Sequence, residues 1–168
     1  MTFVEIFLDL IAMKTSILLL SILLFGFNNT NDQQGTYTID GKTYSGKVST
    51  QEFVNKNFSV LCEYSDESSS DYKKWKYDLL QVTFHSKAEA LKGGVLKVSS
   101  TSSINQESGY VSIGGHDGFT NLFGDGNSTI TVTNKTIKIS NVKLFQYPAT
   151  HLGTNKSYLI NSVTIPFE

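Results

Sequence analysis

From Thr36 onward the chain alternates polar and apolar residues with a period of two, and turn residues separate the runs. That rhythm puts successive side chains on opposite faces of a strand, so it predicts half-buried β structure and little helix. The clearest instance is Thr36-Tyr37-Thr38-Ile39, then Asp40-Gly41, then Lys42-Thr43-Tyr44-Ser45. Asp-Gly between alternating runs predicts a type I′ hairpin, because both turn positions need positive φ. Leu79 to His85 places Leu80, Val82 and Phe84 on one face and Gln81, Thr83 and His85 on the other. Thr129 to Thr133 and Thr136 to Ser140 flank a second two-residue turn, Asn134-Lys135. Ile137 and Ile139 share one parity while Val142 and Leu144 share the opposite one, so a bulge near Ser140-Asn141, or a strand end there, is expected. Phe58 to Glu63, Val95 to Val98 and Tyr110 to Ile113 are shorter strand-like runs. Tyr158 to Phe167 closes the chain, with Leu159, Val163, Ile165 and Phe167 assigned to one face, and Pro166 marks an edge or the end of pairing.

Only Lys87 to Lys92 reads as a helix. Ser86 with Glu89 three residues on forms a capping box, and Gly93 stands where a left-handed cap is needed. Short strands at regular spacing, seven to nine on this count, predict an antiparallel β-sandwich. A lipocalin-like closed barrel is the alternative.

The N-terminal part differs in character. Ile17 to Phe27 is an apolar run that follows Met13-Lys14 and precedes Asn28-Asn29-Thr30. Charge, apolar core and polar boundary in that order predict a secretory leader over residues 1–30 that starts at Met13. Glu5 and Asp9 give the preceding residues the wrong charge for such a signal. An uncleaved anchor competes with this reading, but the run is shorter than the ~20 residues that span a bilayer. The expectation is therefore a single mature domain over residues 31–168, periplasmic or extracellular, meeting a membrane only through an uncleaved leader. A net charge of −1 implies no polyanionic partner, and all 14 basic residues are lysine. Without arginine the chain lacks the usual bidentate fork for phosphate, which counts against nucleotide and nucleic-acid binding. The single cysteine, Cys62, sits in an apolar strand and reads as a buried thiol.

Three features taken together carry a family likeness. The leader runs directly into the Tyr-Thr-Ile-Asp-Gly-Lys-Thr-Tyr hairpin; Leu79 to Val98 reads as strand, short linker and Gly-Gly-Val strand; and Ser-Thr-Ile-Thr-Val pairs with Ile-Lys-Ile-Ser-Asn-Val near the end. In this the chain resembles small exported β-sandwich proteins of unknown function from Gram-negative bacteria. The resemblance implies a sandwich fold and supplies no catalytic residues. Members of that class usually carry a lipid-anchoring cysteine after the leader, and none stands there in this chain.

The best binding candidate is Tyr72, Trp75 and Tyr77 with Asp78. If Leu80, Val82 and Phe84 face the core, alternation puts Trp75 and Tyr77 outside, where aromatic rings flanked by lysines and a carboxylate suit a glycan. A bulge that re-aims Trp75 into the core is the competing reading. Asp117, Asp125 and Asn127 form a weaker calcium candidate, being hard oxygen ligands in a glycine-rich stretch without the spacing of a known loop. The histidines, His85, His116 and His151, show no metal-ligand spacing. No nucleophile elbow, metalloprotease, P-loop or dinucleotide motif occurs, and no cofactor is implied. A carboxylate pair for hydrolysis, drawn from Glu63, Asp78 and Glu89, needs only proximity, which sequence does not reveal. The expectation is a non-enzymatic binding module for a glycan or surface protein. The alternatives are an assembly protein acting through an exposed strand edge, and a carboxylate hydrolase.

Overall fold

The computed structural model describes residues 33–100, 103–116, 122–146 and 157–168. The leader, Asp117 and His151 lie outside them. The strands are β1 (Gln34–Ile39), β2 (Lys42–Glu52), β3 (Phe58–Asp66), β4 (Lys76–Phe84), β5 (Gly94–Ser99), β6 (Ser108–Gly114), β7 (Leu122–Gly124), β8 (Thr129–Thr133), β9 (Thr136–Gln146) and β10 (Ser157–Pro166). Helix α1 spans Lys87–Lys92.

These strands do not form two packed sheets. They run β1-β2-β3-β4-β6-β5-β8-β9-β10, and β10 pairs back onto β1, so the sheet closes as a nine-strand barrel. The sandwich expectation is corrected to its closed alternative, and the all-β class stands. Alternation with one buried face fits both architectures; what decides is the long-range ladder. The parallel contact of β5 with β6, and β10 laid between β1 and β9, bring the first and last strands together. Closure pairs the backbone groups that a sheet edge would leave open.

Several local expectations are met. Asp40 and Gly41 have φ of 46° and 81°, as a type I′ turn requires. Asn134 and Lys135 turn in the same way, with φ of 48° and 54°. Asp40 Oδ1 accepts the Leu159 N–H at 2.8 Å, and Asn161 Oδ1 accepts the Gly41 N–H at 2.9 Å, tying the hairpin tip to β10. Strand β9 runs unbroken through Asn141, whose φ of 55° marks the parity switch. β10 switches at the same level, because its register against β1 shifts between Thr38 and Ile39 and skips Asn161. That second switch turns Leu159 outward and Ile160 and Tyr158 inward, correcting the single face assigned to the last strand. Ser86 Oγ accepts the Glu89 N–H at 3.2 Å and caps α1.

The interior is filled with side chains. Gly35 lies on the inner face of β1, where an added Cβ would stand 3.0 Å from both Cys62 Sγ and Val48, so the strands there leave no room for a methyl group. The two ends of the barrel differ. At one end Phe58, Phe84 and Phe167 pack ring to ring beside α1, with Phe84 and Phe167 stacked at 6.4 Å. Lys87, in the first turn of α1, lays its ammonium 5.7 Å from the Phe58 ring. The opposite end holds Tyr37, Tyr44, Tyr64, Asp78, His116 and Tyr158. There, among the described residues, β7 alone bridges β6 to β9, a gap that β5 and β8 span together elsewhere in the ring. Barrel diameter grows with strand number, so this end is narrower by one strand.

Candidate functional site

The outer aromatic group sits where β3 hands over to β4. Asp66 Oδ1 accepts from Ser68 N–H at 3.1 Å and from Ser68 Oγ–H at 2.7 Å, which closes the end of β3 and holds the Asp66 carboxyl below its ordinary range. Asp71 then caps a 3-10 turn over Tyr72–Lys74, its carboxylate accepting the Lys73 N–H at 3.0 Å. The turn ends at Trp75, which returns to extended backbone with φ −62° and ψ 141°. Trp75 Nε1 donates to the Ser69 carbonyl at 2.8 Å, so the indole is tied across the loop that precedes it.

Tyr72, Trp75 and Tyr77 are 70 %, 49 % and 47 % exposed. Trp75 therefore lies outside the core, and the competing bulge is not found between it and Leu80. Partial burial, with the charge of Glu63 on neighbouring β3, raises the Tyr77 phenol above its ordinary range. Gly115 shapes the same corner. Its φ of 87° suits glycine, and a Cβ there would strike the Tyr77 carbonyl.

Asp78 does not join these rings. It has the parity of Leu80, Val82 and Phe84, so it points into the barrel and is buried. Its Oδ2 lies 3.0 Å from His116 Nδ1. The placement of Asp78 on the outer platform is corrected for a reason already present in the alternation: a residue two before Leu80 faces where Leu80 faces. His116 enters the barrel after the Gly114-Gly115 turn, between perpendicular rings of Tyr44 at 5.8 Å and Tyr158 at 5.0 Å. Tyr44 also stacks on Tyr37 at 5.2 Å and meets Tyr64 edge-on at 5.0 Å. Sequence reasoning passed over this inner cluster. Its signals were the inward parity of Tyr37, Tyr44, Tyr64 and Asp78; the pairing with His116, 38 residues away, has no local trace.

The remaining candidates separate. Asp125 Oδ1 accepts the Asn127 N–H at 3.0 Å and the Ser128 hydroxyl at 3.4 Å, which is an Asx turn, and Asp117 lies outside the described residues. No group of three or more metal-ligating side chains occurs among the described residues. Glu63 faces outward on β3, Asp78 faces inward on β4 and Glu89 lies on α1 at the far end, so these carboxylates do not converge. Cys62 is buried, its thiol bonded to the Gly46 carbonyl at 3.6 Å and pushed up to about 11 by desolvation. A shallow groove of about 500 Å³ runs between α1 and β5, lined by residues that include Glu89, Lys92, Val95 and Glu107. No helix among the described residues is long and apolar enough to cross a membrane. No protein-family model, no curated protein and no solved structure matches the chain.

Proposed function

We propose that this protein is an exported, non-enzymatic binding module that docks a glycan on Tyr72, Trp75 and Tyr77. The observation that carries the reading is the state of Trp75. It is the only tryptophan, it is half exposed, and its one polar atom is already bonded to Ser69. The ring is held in place before any ligand arrives, so less side-chain entropy is lost on binding. Aromatic faces suit the apolar faces of sugar rings, and Lys73, Lys74, Lys76 and Glu63 supply hydrogen bonds for hydroxyls at the margin. The absence of arginine fits an uncharged ligand better than a phosphorylated one. Closure of the ring supports this reading over assembly through a strand edge, since a barrel presents no long open edge.

The test is a glycan-array screen of the mature chain beside its Trp75→Ala variant. Binding to at least one glycan is expected, with a loss of at least tenfold, about 1.4 kcal/mol, in the variant. No binding at all, or binding unchanged in the variant, overturns the proposal.

A further inference from the structure

Five Asn-x-Ser/Thr sequons stand in the chain, at Asn28, Asn57, Asn127, Asn134 and Asn155. In an exported protein such a triplet is an acceptor for an N-linked oligosaccharide, provided that the asparagine amide and the hydroxyl two residues on can both be reached. Asn57, Asn127 and Asn134 lie among the described residues, and the fold separates them. At Asn57 the hydroxyl belongs to Ser59, which is fully buried and lies 2.7 Å from Thr83 Oγ1. At Asn134 the triplet is bent into the β8–β9 turn, and the half-buried Thr136 turns its hydroxyl back onto the Asn134 carbonyl at 3.5 Å. Asn127 differs from both. Asn127 and Thr129 are exposed, and neither side chain makes a hydrogen bond among the described residues. The loop is fixed without them: Asp125 Oδ1 accepts the Asn127 N–H, and Ser128 Oγ donates to the Asn141 carbonyl at 3.1 Å.

We infer that Asn127 is a modification site, which takes an N-linked oligosaccharide; the inference rests on the export proposed above and not on the outer platform. The co-reactant is a lipid-linked oligosaccharyl pyrophosphate, presented by an oligosaccharyltransferase of the secretory route. Asn127 Nδ2 attacks the anomeric carbon of that donor. A C–N bond forms, the bond from the same carbon to the pyrophosphate oxygen breaks with its electron pair on the leaving lipid pyrophosphate, and one amide proton passes to a base of the transferase. The Thr129 hydroxyl, exposed two residues on, is the second group of the triplet that the transferase reads. A bulky, solvated glycan suits an exposed loop, because it displaces no buried contact. Its position also leaves the platform clear: Asn127 leads into β8, which β5 and β6 separate from β4.

The test is secretion of the full chain, with its own leader, from insect cells, in the wild type, Asn127→Gln and Thr129→Val. Treatment with a peptide-N-glycosidase converts a modified asparagine to aspartate, which peptide mass spectrometry reads position by position. The expected result is a glycan on Asn127 of the secreted wild type and its complete loss from this site in both variants. Thr129→Val keeps the asparagine and a β-branched side chain, so loss there assigns the modification to the triplet rather than to an exposed amide. Both positions are exposed, so both variants are expected to be secreted and to melt as enzymatically deglycosylated wild type does. Secreted protein without a glycan on Asn127, a glycan on Asn57 or Asn134 in its place, or a glycan kept in Thr129→Val overturns the inference and leaves export standing. A chain held in the cytosol overturns export, and the inference with it.

Discussion

The two ends of this barrel are built from aromatic residues, yet they do opposite things. The end beside α1 uses Phe58, Phe84 and Phe167, which bring apolar area and no polar atom. The other end uses Tyr37, Tyr44, Tyr64 and Tyr158, and it adds a buried carboxylate and an imidazole. Every hydroxyl placed there needs a partner, so this end gives up some stability that phenylalanine would have supplied. The outer platform of Trp75 and Tyr77 belongs to the same end, because it continues from the first residues of β4. What the contrast teaches is that one end is organised for apolar packing, whereas the other admits polar groups to the interior.

The largest effect is expected at the phenylalanine end. Phe84→Ala should lower stability by about 3–5 kcal/mol, because a fully buried ring leaves a cavity among stacked neighbours. Chemical denaturation reads this, and glycan binding measured on the fraction that stays folded should not change. A cost below about 1 kcal/mol would show that this end is not the packed one.

Asp78→Ala should cost less, about 1–3 kcal/mol, by leaving His116 buried without its carboxylate. The same denaturation series, compared with Phe84→Ala, orders the two ends. An equal or larger loss at Asp78 would reverse their assignment.

A smaller effect is expected in alkali. The Cys62 thiol ionises near 9 when exposed and near 11 in the folded barrel, so the unfolded chain releases its proton first. Stability should therefore fall between pH 9 and about 11 and level off above that as far as this group is concerned. Tyr37, also raised, continues the fall above its ordinary value. Cys62→Ala should remove the first part of the slope, which urea midpoints across that range would detect. An unchanged slope in the variant would place the thiol in water.

Trp75→Ala should alter stability least, by about 1 kcal/mol or less, since the ring is half exposed and loses one hydrogen bond to a loop carbonyl. A loss near that of Phe84→Ala would mean that the platform is part of the core.

The sequence carried the local grammar of this fold well. Asp40-Gly41 and Asn134-Lys135 announced their turns through residues that tolerate positive φ, Ser86 and Gly93 bounded α1, and the parity break marked the switch that occurs at Asn141 within an unbroken strand. Closure was not legible, because period-two alternation describes one buried face and says nothing about which strands meet. The second parity switch, at Asn161, is masked because Leu159 and Ile160 are adjacent apolar residues: Leu159 continues the parity of Val163 and Ile165 without a break, and only the register shift against β1 selects Ile160 for the interior. Trp75 and Tyr77 were legible because Leu80, Val82 and Phe84 fix the phase of β4. The same phase put Asp78 inside, but a carboxylate is expected in water unless a partner is known, and His116 arrives from another strand.

Tryptophan emission tests the central claim most directly, since Trp75 is the sole source of the signal. The protein would be titrated with a mixture of cello- and chito-oligosaccharides while acrylamide quenching is followed. The account predicts red-shifted, readily quenched emission in the free protein that shifts to the blue and becomes protected as sugar is added. Blue-shifted, protected emission without ligand, or exposed emission that no sugar alters, would contradict it.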